Sequence, residues 1–135
     1  MKTKILIVFA VFTSFFSCKN EVKEEVKPIV ENSKATEVQL IQFHTEHRCV
    51  TCNNIEKLSK ETIKGNDAIS FVLYNVDDEK NAKVAEQFEA TGTSLYLYNS
   101  KTKEIKDLTE MAFMYAKNEG EKFKTELQKE ISEFK

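Results

Sequence analysis

Between His44 and Cys52 the chain reads HTEHRCVTC, and this stretch holds both histidines, the only arginine and two of the three cysteines. Thiols, imidazoles and a guanidinium attack disulfides, move protons and bind soft metals. A small apolar core requires none of them. Cys49 and Cys52 stand three residues apart, close to one turn of a helix, a spacing that lets two sulfurs alternate between dithiol and disulfide. The thiolate is the reactive species, so what matters first is how Cys49 is kept anionic.

Three features point that way. Cys49 falls at or near the N-cap of a helix, where unpaired backbone N–H groups and the positive end of the helix dipole favour an anion. Arg48 is adjacent and permanently charged, and His47 adds charge when protonated. Such surroundings bring a thiol from ~8.5 toward the ~3.5–7.5 range of reactive cysteines. Cys49 is then the attacking sulfur, and Cys52, one turn further in and more buried, the resolving one. A purely structural disulfide explains less, because so short a loop gains little from crosslinking.

The neighbours leave alternatives open. His44 ends a strand and either faces the sulfurs or bonds a backbone carbonyl there. His47 is a solvated side chain that tunes the local charge. Glu56, four residues after Cys52 on the same helical face, either takes the proton of Cys52 or is an ordinary solvated glutamate, and Glu46 has the same standing. A second chemistry uses His44, His47, Cys49 and Cys52 together, two imidazoles and two thiolates suited to Zn(II), Cu(I) or arsenite. It needs a strand end and a helix start to converge within ~2.0–2.3 Å of one ion. A third reading is a non-catalytic subunit of a membrane complex.

The flanking segments supply the scaffold. Residues 38–44 (VQLIQFH) are apolar on both faces, with Leu40 and Gln42 on one side and Ile41 and Phe43 on the other, as in a central strand. From residue 50 to about 64 the period becomes helical, with Cys52, Ile55 and Ser59 on one face and Gly65 just beyond the end. Residues 69–77 (ISFVLYNVD) form a second strand, and the strand–helix–strand order predicts a right-handed crossover with a parallel pair. A helix over residues 81–90 buries Val84, Ala85 and Phe88. Strands at 94–99 and 105–108 are joined by a hairpin over 100–103. A last helix over 121–134 carries the stripe Phe123, Leu127, Ile131 and Phe134. Residues 111–116 (MAFMYA) lack a decisive period and read as core or a helical turn, with a lid or partner surface near the dithiol as the sharper alternative.

The address is written at the start. Lys2 and Lys4 precede an apolar run at residues 5–16 that rises only ~18 Å as a helix, short of a hydrocarbon core of about 30 Å. It is a signal segment, residues 1–17, and not a span. Ser17-Cys18 after it resembles a bacterial lipoprotein signal, in which the cysteine is lipidated and becomes the new N-terminus. Residues 18–36 are polar, contain the only proline, Pro28, and read as a flexible tether. The folded domain is residues 37–135. The expected location is exported and lipid-anchored through Cys18, facing the periplasm or the cell surface, an oxidising setting in which Cys49 and Cys52 are each other's partner.

Composition sets the outer bounds. With 41% hydrophobic and 31% charged residues over 135 residues, one soluble globular domain is expected. The net charge of −2 excludes nucleic acid as a partner, because no basic patch is available to neutralise phosphates. Three glycines leave no glycine-rich nucleotide loop, so no flavin or nicotinamide cofactor is expected.

The order βαβ, α, ββα with a Cys-x-x-Cys opening the first helix resembles the thioredoxin fold. More closely, FHTEHRCVTCNNIE, NVDDEKNAKVAEQF and GTSLYLY are similar to the small thioredoxin-like family described as the ArsF-type subunit of a nitrophenyl-compound nitroreductase, over residues 38–134. The resemblance implies an α/β, thioredoxin-like domain with a central mixed four-stranded sheet flanked by helices. It also implies a thiol–disulfide oxidoreductase, or a redox accessory subunit, with Cys49, Cys52, Arg48 and His44 at its site. The implied partners are protein disulfides or dithiols, or a membrane redox complex, and the implied state is a monomer. Two departures stand out. Ser94, after Thr93, matches the position of the thioredoxins' cis-proline, and since a non-proline cis bond costs ~2.5–4 kcal/mol the peptide is expected trans, leaving room for a ligand or metal beside the sulfurs. Phe43 matches their buried proton-accepting aspartate.

Overall fold

The computed structural model of the chain describes residues 36–134. The signal segment, Cys18 and the tether short of Thr36 lie outside the described residues.

Four strands form one mixed sheet: β1 (Val38–His44), β2 (Ile69–Asn75), β3 (Ser94–Asn99) and β4 (Ile105–Asp107), in the order β2-β1-β3-β4. β1 pairs with β2 in parallel and with β3 antiparallel, and β4 closes the far edge antiparallel to β3. The parallel pair follows from the crossover through α1 (Val50–Thr62), as a strand–helix–strand unit of this length requires. α2 is Ala82–Gln87, α3 is Thr109–Ala116 and α4 is Gly120–Glu133. The result is an α/β domain, a four-stranded mixed sheet flanked by helices, compatible with a thioredoxin-like fold.

The two faces of β1 divide the core. Leu40, with Leu95 and Leu97, packs against Ile55 of α1, Ala112 and Ala116 of α3, and Phe123 and Leu127 of α4. Ile41 and Phe43, with Val72, Tyr74, Tyr96 and Tyr98, pack against Val84 and Ala85 of α2 and against Phe88. Phe43 stacks on Tyr74 with ring centroids 5.5 Å apart and meets Tyr96 edge-on at 5.8 Å. Such offset and edge contacts add to what area burial alone contributes.

Element ends differ from the sequence reading where backbone geometry decides. The second helix begins as a 3-10 turn at Glu79–Asn81, and α2 gives way at Phe88 because Glu89 turns to a positive φ of 52°. The N–H of Ala90 then returns to the carbonyl of Ala85 at 2.8 Å, the bond of a left-handed helix cap. Residues 111–116 belong to α3. Its two alanines face inward and are buried, whereas Phe113 is 42% and Met114 56% exposed. Asn54 Nδ2 donates to the Ala116 carbonyl at 3.1 Å and ties the end of α3 to α1. Gly120 starts α4 where a Cβ would stand 3.2 Å from a Leu58 methyl, so α1 and α4 approach closely there.

Candidate functional site

β1 ends at His44, whose carbonyl accepts the Val76 N–H at 2.8 Å. The loop that follows is pinned from the side: the Glu46 N–H donates to Asp77 Oδ2 at 2.7 Å, and Thr45 Oγ1 donates to the His47 carbonyl at 2.9 Å. The chain therefore reaches α1 along a fixed path, with Cys49 as its N-cap (φ −79°, ψ 168°). Extended backbone at this position aims the side chain back at the first turn, and Cys49 Sγ accepts the Cys52 N–H at 3.3 Å. The Cys49 carbonyl takes the Asn53 N–H at 3.1 Å and closes that turn.

Both cysteines are free thiols, and their sulfurs lie 2.7 Å apart. Cys49 is exposed and Cys52 is 5% exposed. The hydrogen bond from the Cys52 thiol is the largest influence holding the Cys49 thiol below its ordinary pKa. The Cys52 backbone N–H follows, slight burial opposes, and the Thr51 N–H adds to the lowering. One sulfur is thus presented to solvent with its thiol pKa lowered, and a second lies directly behind it.

Arg48 is oriented differently from the sequence expectation. Its Nη2 lies 2.6 Å from Glu56 Oε2 and 3.5 Å from the Cys52 carbonyl, so the guanidinium reaches across the first turn and its charge is matched by Glu56. It ties the start of α1 to Glu56 further along the helix. Glu56 is also paired with Lys60. Burial alone raises the Glu56 pKa, but the hydrogen bonds and charges of Lys60 and Arg48 outweigh it and keep the carboxyl below its usual range. A carboxylate so committed is a poor acceptor for the proton of Cys52. Glu46 is exposed and acts through its backbone.

No family model matches this chain, and no curated protein does.

His44 takes the second of its two expected arrangements: Nδ1 bonds the Thr45 carbonyl at 2.8 Å, at the strand edge. His47 is exposed. Among the described residues no three His, Cys, Asp or Glu side chains are grouped to hold a metal ion, so His44, His47, Cys49 and Cys52 are not assembled as a ligand set.

Two polar contacts at Cys52 went unread in the sequence. Gln42 is fully buried, and its Nε2 donates to the Cys52 carbonyl at 3.0 Å. Phe43 lies on the opposite face of the sheet in the aromatic cluster, so the polar side chain beneath Cys52 is Gln42, a neutral amide. Its Oε1 is buried without a hydrogen-bond partner. The signal was a glutamine on the Leu40 side of a strand covered on both faces.

The second is Thr93, whose Oγ1 lies 3.2 Å from Cys52 Sγ. The Thr93–Ser94 peptide is trans, as is every other described peptide bond, and the Thr93 hydroxyl takes the place beside the sulfur where space for a ligand was expected. Pairing of Phe43 with Ser94 brings it there, carrying the start of β3 alongside the end of β1. That a hydroxyl precedes a strand destined for the neighbour of β1 was the available clue.

Proposed function

We propose that this chain is a thioredoxin-like thiol–disulfide oxidoreductase, tethered to the membrane through Cys18, that exchanges dithiol for disulfide at Cys49 and Cys52. The observation that carries the reading is the pair itself. An exposed Cys49 sulfur caps α1 and accepts a backbone N–H at 3.3 Å, and a buried thiol waits 2.7 Å behind it.

The reaction follows from these positions. Cys49 thiolate attacks one sulfur of a partner disulfide, the partner's S–S bond breaks, and its other sulfur leaves as a thiolate. Cys52 then loses its proton and attacks Cys49 Sγ, the mixed disulfide breaks, and the partner departs reduced by two electrons while Cys49 and Cys52 become disulfide-bonded. The reverse sequence oxidises a partner dithiol. Cys49 is the only one of the two sulfurs open to a protein-sized partner, because Cys52 is buried under the turn.

The resemblance to the ArsF-type nitroreductase subunit fits this role as an accessory one. The dithiol supplies electron exchange, and any flavin or nicotinamide chemistry would belong to another subunit. The reading is tested by expressing Cys52→Ser and Cys49→Ser chains in the native membrane and separating proteins without reductant. Cys52→Ser is expected to accumulate mixed disulfides with partner proteins through Cys49, which Cys49→Ser cannot form. Absence of reductant-sensitive adducts from the Cys52→Ser chain overturns it.

A further inference from the structure

The exchange just proposed, on which this inference rests, has a second step that requires an anion at Cys52. Cys52 must become a thiolate while Cys49 is tied to the partner, so Cys49 can no longer serve as the hydrogen-bonded anion beside it. Glu56 is held by Arg48 and Lys60, and Gln42 is an amide bonded to the Cys52 carbonyl. Phe43 lies across the sheet. The Thr93 hydroxyl, 3.2 Å from Cys52 Sγ, is the remaining side-chain hydrogen-bond partner of that sulfur among the described residues. A hydroxyl is both donor and acceptor, so it accepts from the thiol and, after rotation, donates to the thiolate.

We propose that Thr93 is a catalytic residue of the resolving step, its hydroxyl holding the Cys52 thiolate in place for attack on the Cys49–partner disulfide. The proton of Cys52 passes to the surrounding buffer. The thiolate then forms the S–S bond to Cys49, and the partner sulfur leaves with the electron pair of the broken bond. Thr93 is half-buried, whereas Cys52 is 5% exposed. Hydrogen bonds to an ionised partner are stronger than neutral ones, so the effect falls on the step that needs the anion at Cys52.

The test is a two-phase stopped-flow reaction of the full-length chain, in a Cys18→Ser background, with excess dipyridyl disulfide. The first equivalent of pyridine thione reports attack by Cys49 and the second reports resolution by Cys52. Thr93→Val, nearly isosteric but lacking the hydroxyl, is expected to change the first phase by less than about twofold and to slow the second by about tenfold, the scale of one charge-assisted hydrogen bond. Thr93→Ser, which keeps the hydroxyl, is expected to restore the second phase. If Thr93→Val resolves at the parent rate, or Thr93→Ser is as slow as Thr93→Val, the hydroxyl has no such role and the dithiol reading stands without it. A parent chain that gives a first phase and no second lacks resolution altogether, which overturns the proposed exchange and this inference with it.

Discussion

Cys49 owes its chemistry to its place in the backbone more than to the charge beside it. Its Sγ receives the Cys52 N–H and the Cys52 thiol, whereas the neighbouring guanidinium is spent on Glu56. Both donors favour the anion, so the folded reduced protein holds the thiolate to lower pH than an unfolded chain does. A depressed folded pKa means this stabilisation is fully present above the ordinary thiol value of ~8.5 and is lost as pH falls through the lower folded value. Measured as the iodoacetamide rate of Cys49 against pH, the midpoint is expected below ~8.5. Cys52→Ala removes the largest stabilising contact and is expected to raise that midpoint and slow alkylation at neutral pH. Arg48→Gln is expected to move it less than Cys52→Ala does; a larger shift would restore the guanidinium as the principal influence. The place of Cys49 at a helix start was legible in the spacing of Cys49 and Cys52 and the change of period after it. The direction of Arg48 was not, because Glu56 competes for it from about two helical turns away. Thr93 and Gln42 were hidden for another reason: Thr93 meets Cys52 through the pairing of β3 with β1, and Gln42 through the packing of α1 on β1.

At the scale of elements, the change from alternating to helical period marked most strands and helices, since those periods decide which residues reach the core. It failed at residues 111–116. There α3 turns Ala112 and Ala116 fully inward between α1 and α4, keeps Met111 and Tyr115 partly buried at the sides, and leaves Phe113 and Met114 outside. Apolarity on both sides of a helix hides its period. The geometry gives a stability prediction for urea unfolding. Ala112→Leu, which forces a branched side chain into a fully buried site, is expected to cost about 1–3 kcal/mol. Phe113→Ser on the open side is expected to stay within about 0.5 kcal/mol of the parent. Equal losses at the two positions would contradict the assigned orientation of α3. The end of α2 was beyond the sequence, because at Glu89 a left-handed residue without a glycine stops it.

For the whole molecule, the sheet positions the site by joining its parts at one end. β1 delivers Cys49 and Cys52 through α1, β2 leads into Asp77, which fixes the approach loop, and the start of β3 brings Thr93 to the buried sulfur. No helix among the described residues is long and apolar enough to cross a membrane, so the proposed attachment rests on the leader and Cys18. Cys18→Ala is expected to move the protein from the membrane to the soluble fraction on cell fractionation; retention in the membrane would remove lipidation from the account.

The most direct measurement is mass spectrometry with peptide mapping of the full chain, equilibrated in glutathione buffers of graded poise. The account predicts a reversible loss of two hydrogens mapped to a bond between Cys49 and Cys52, returning as the buffer becomes more reducing. Cysteines that stay thiols at every poise, or that each carry a separate glutathione without joining, would contradict it.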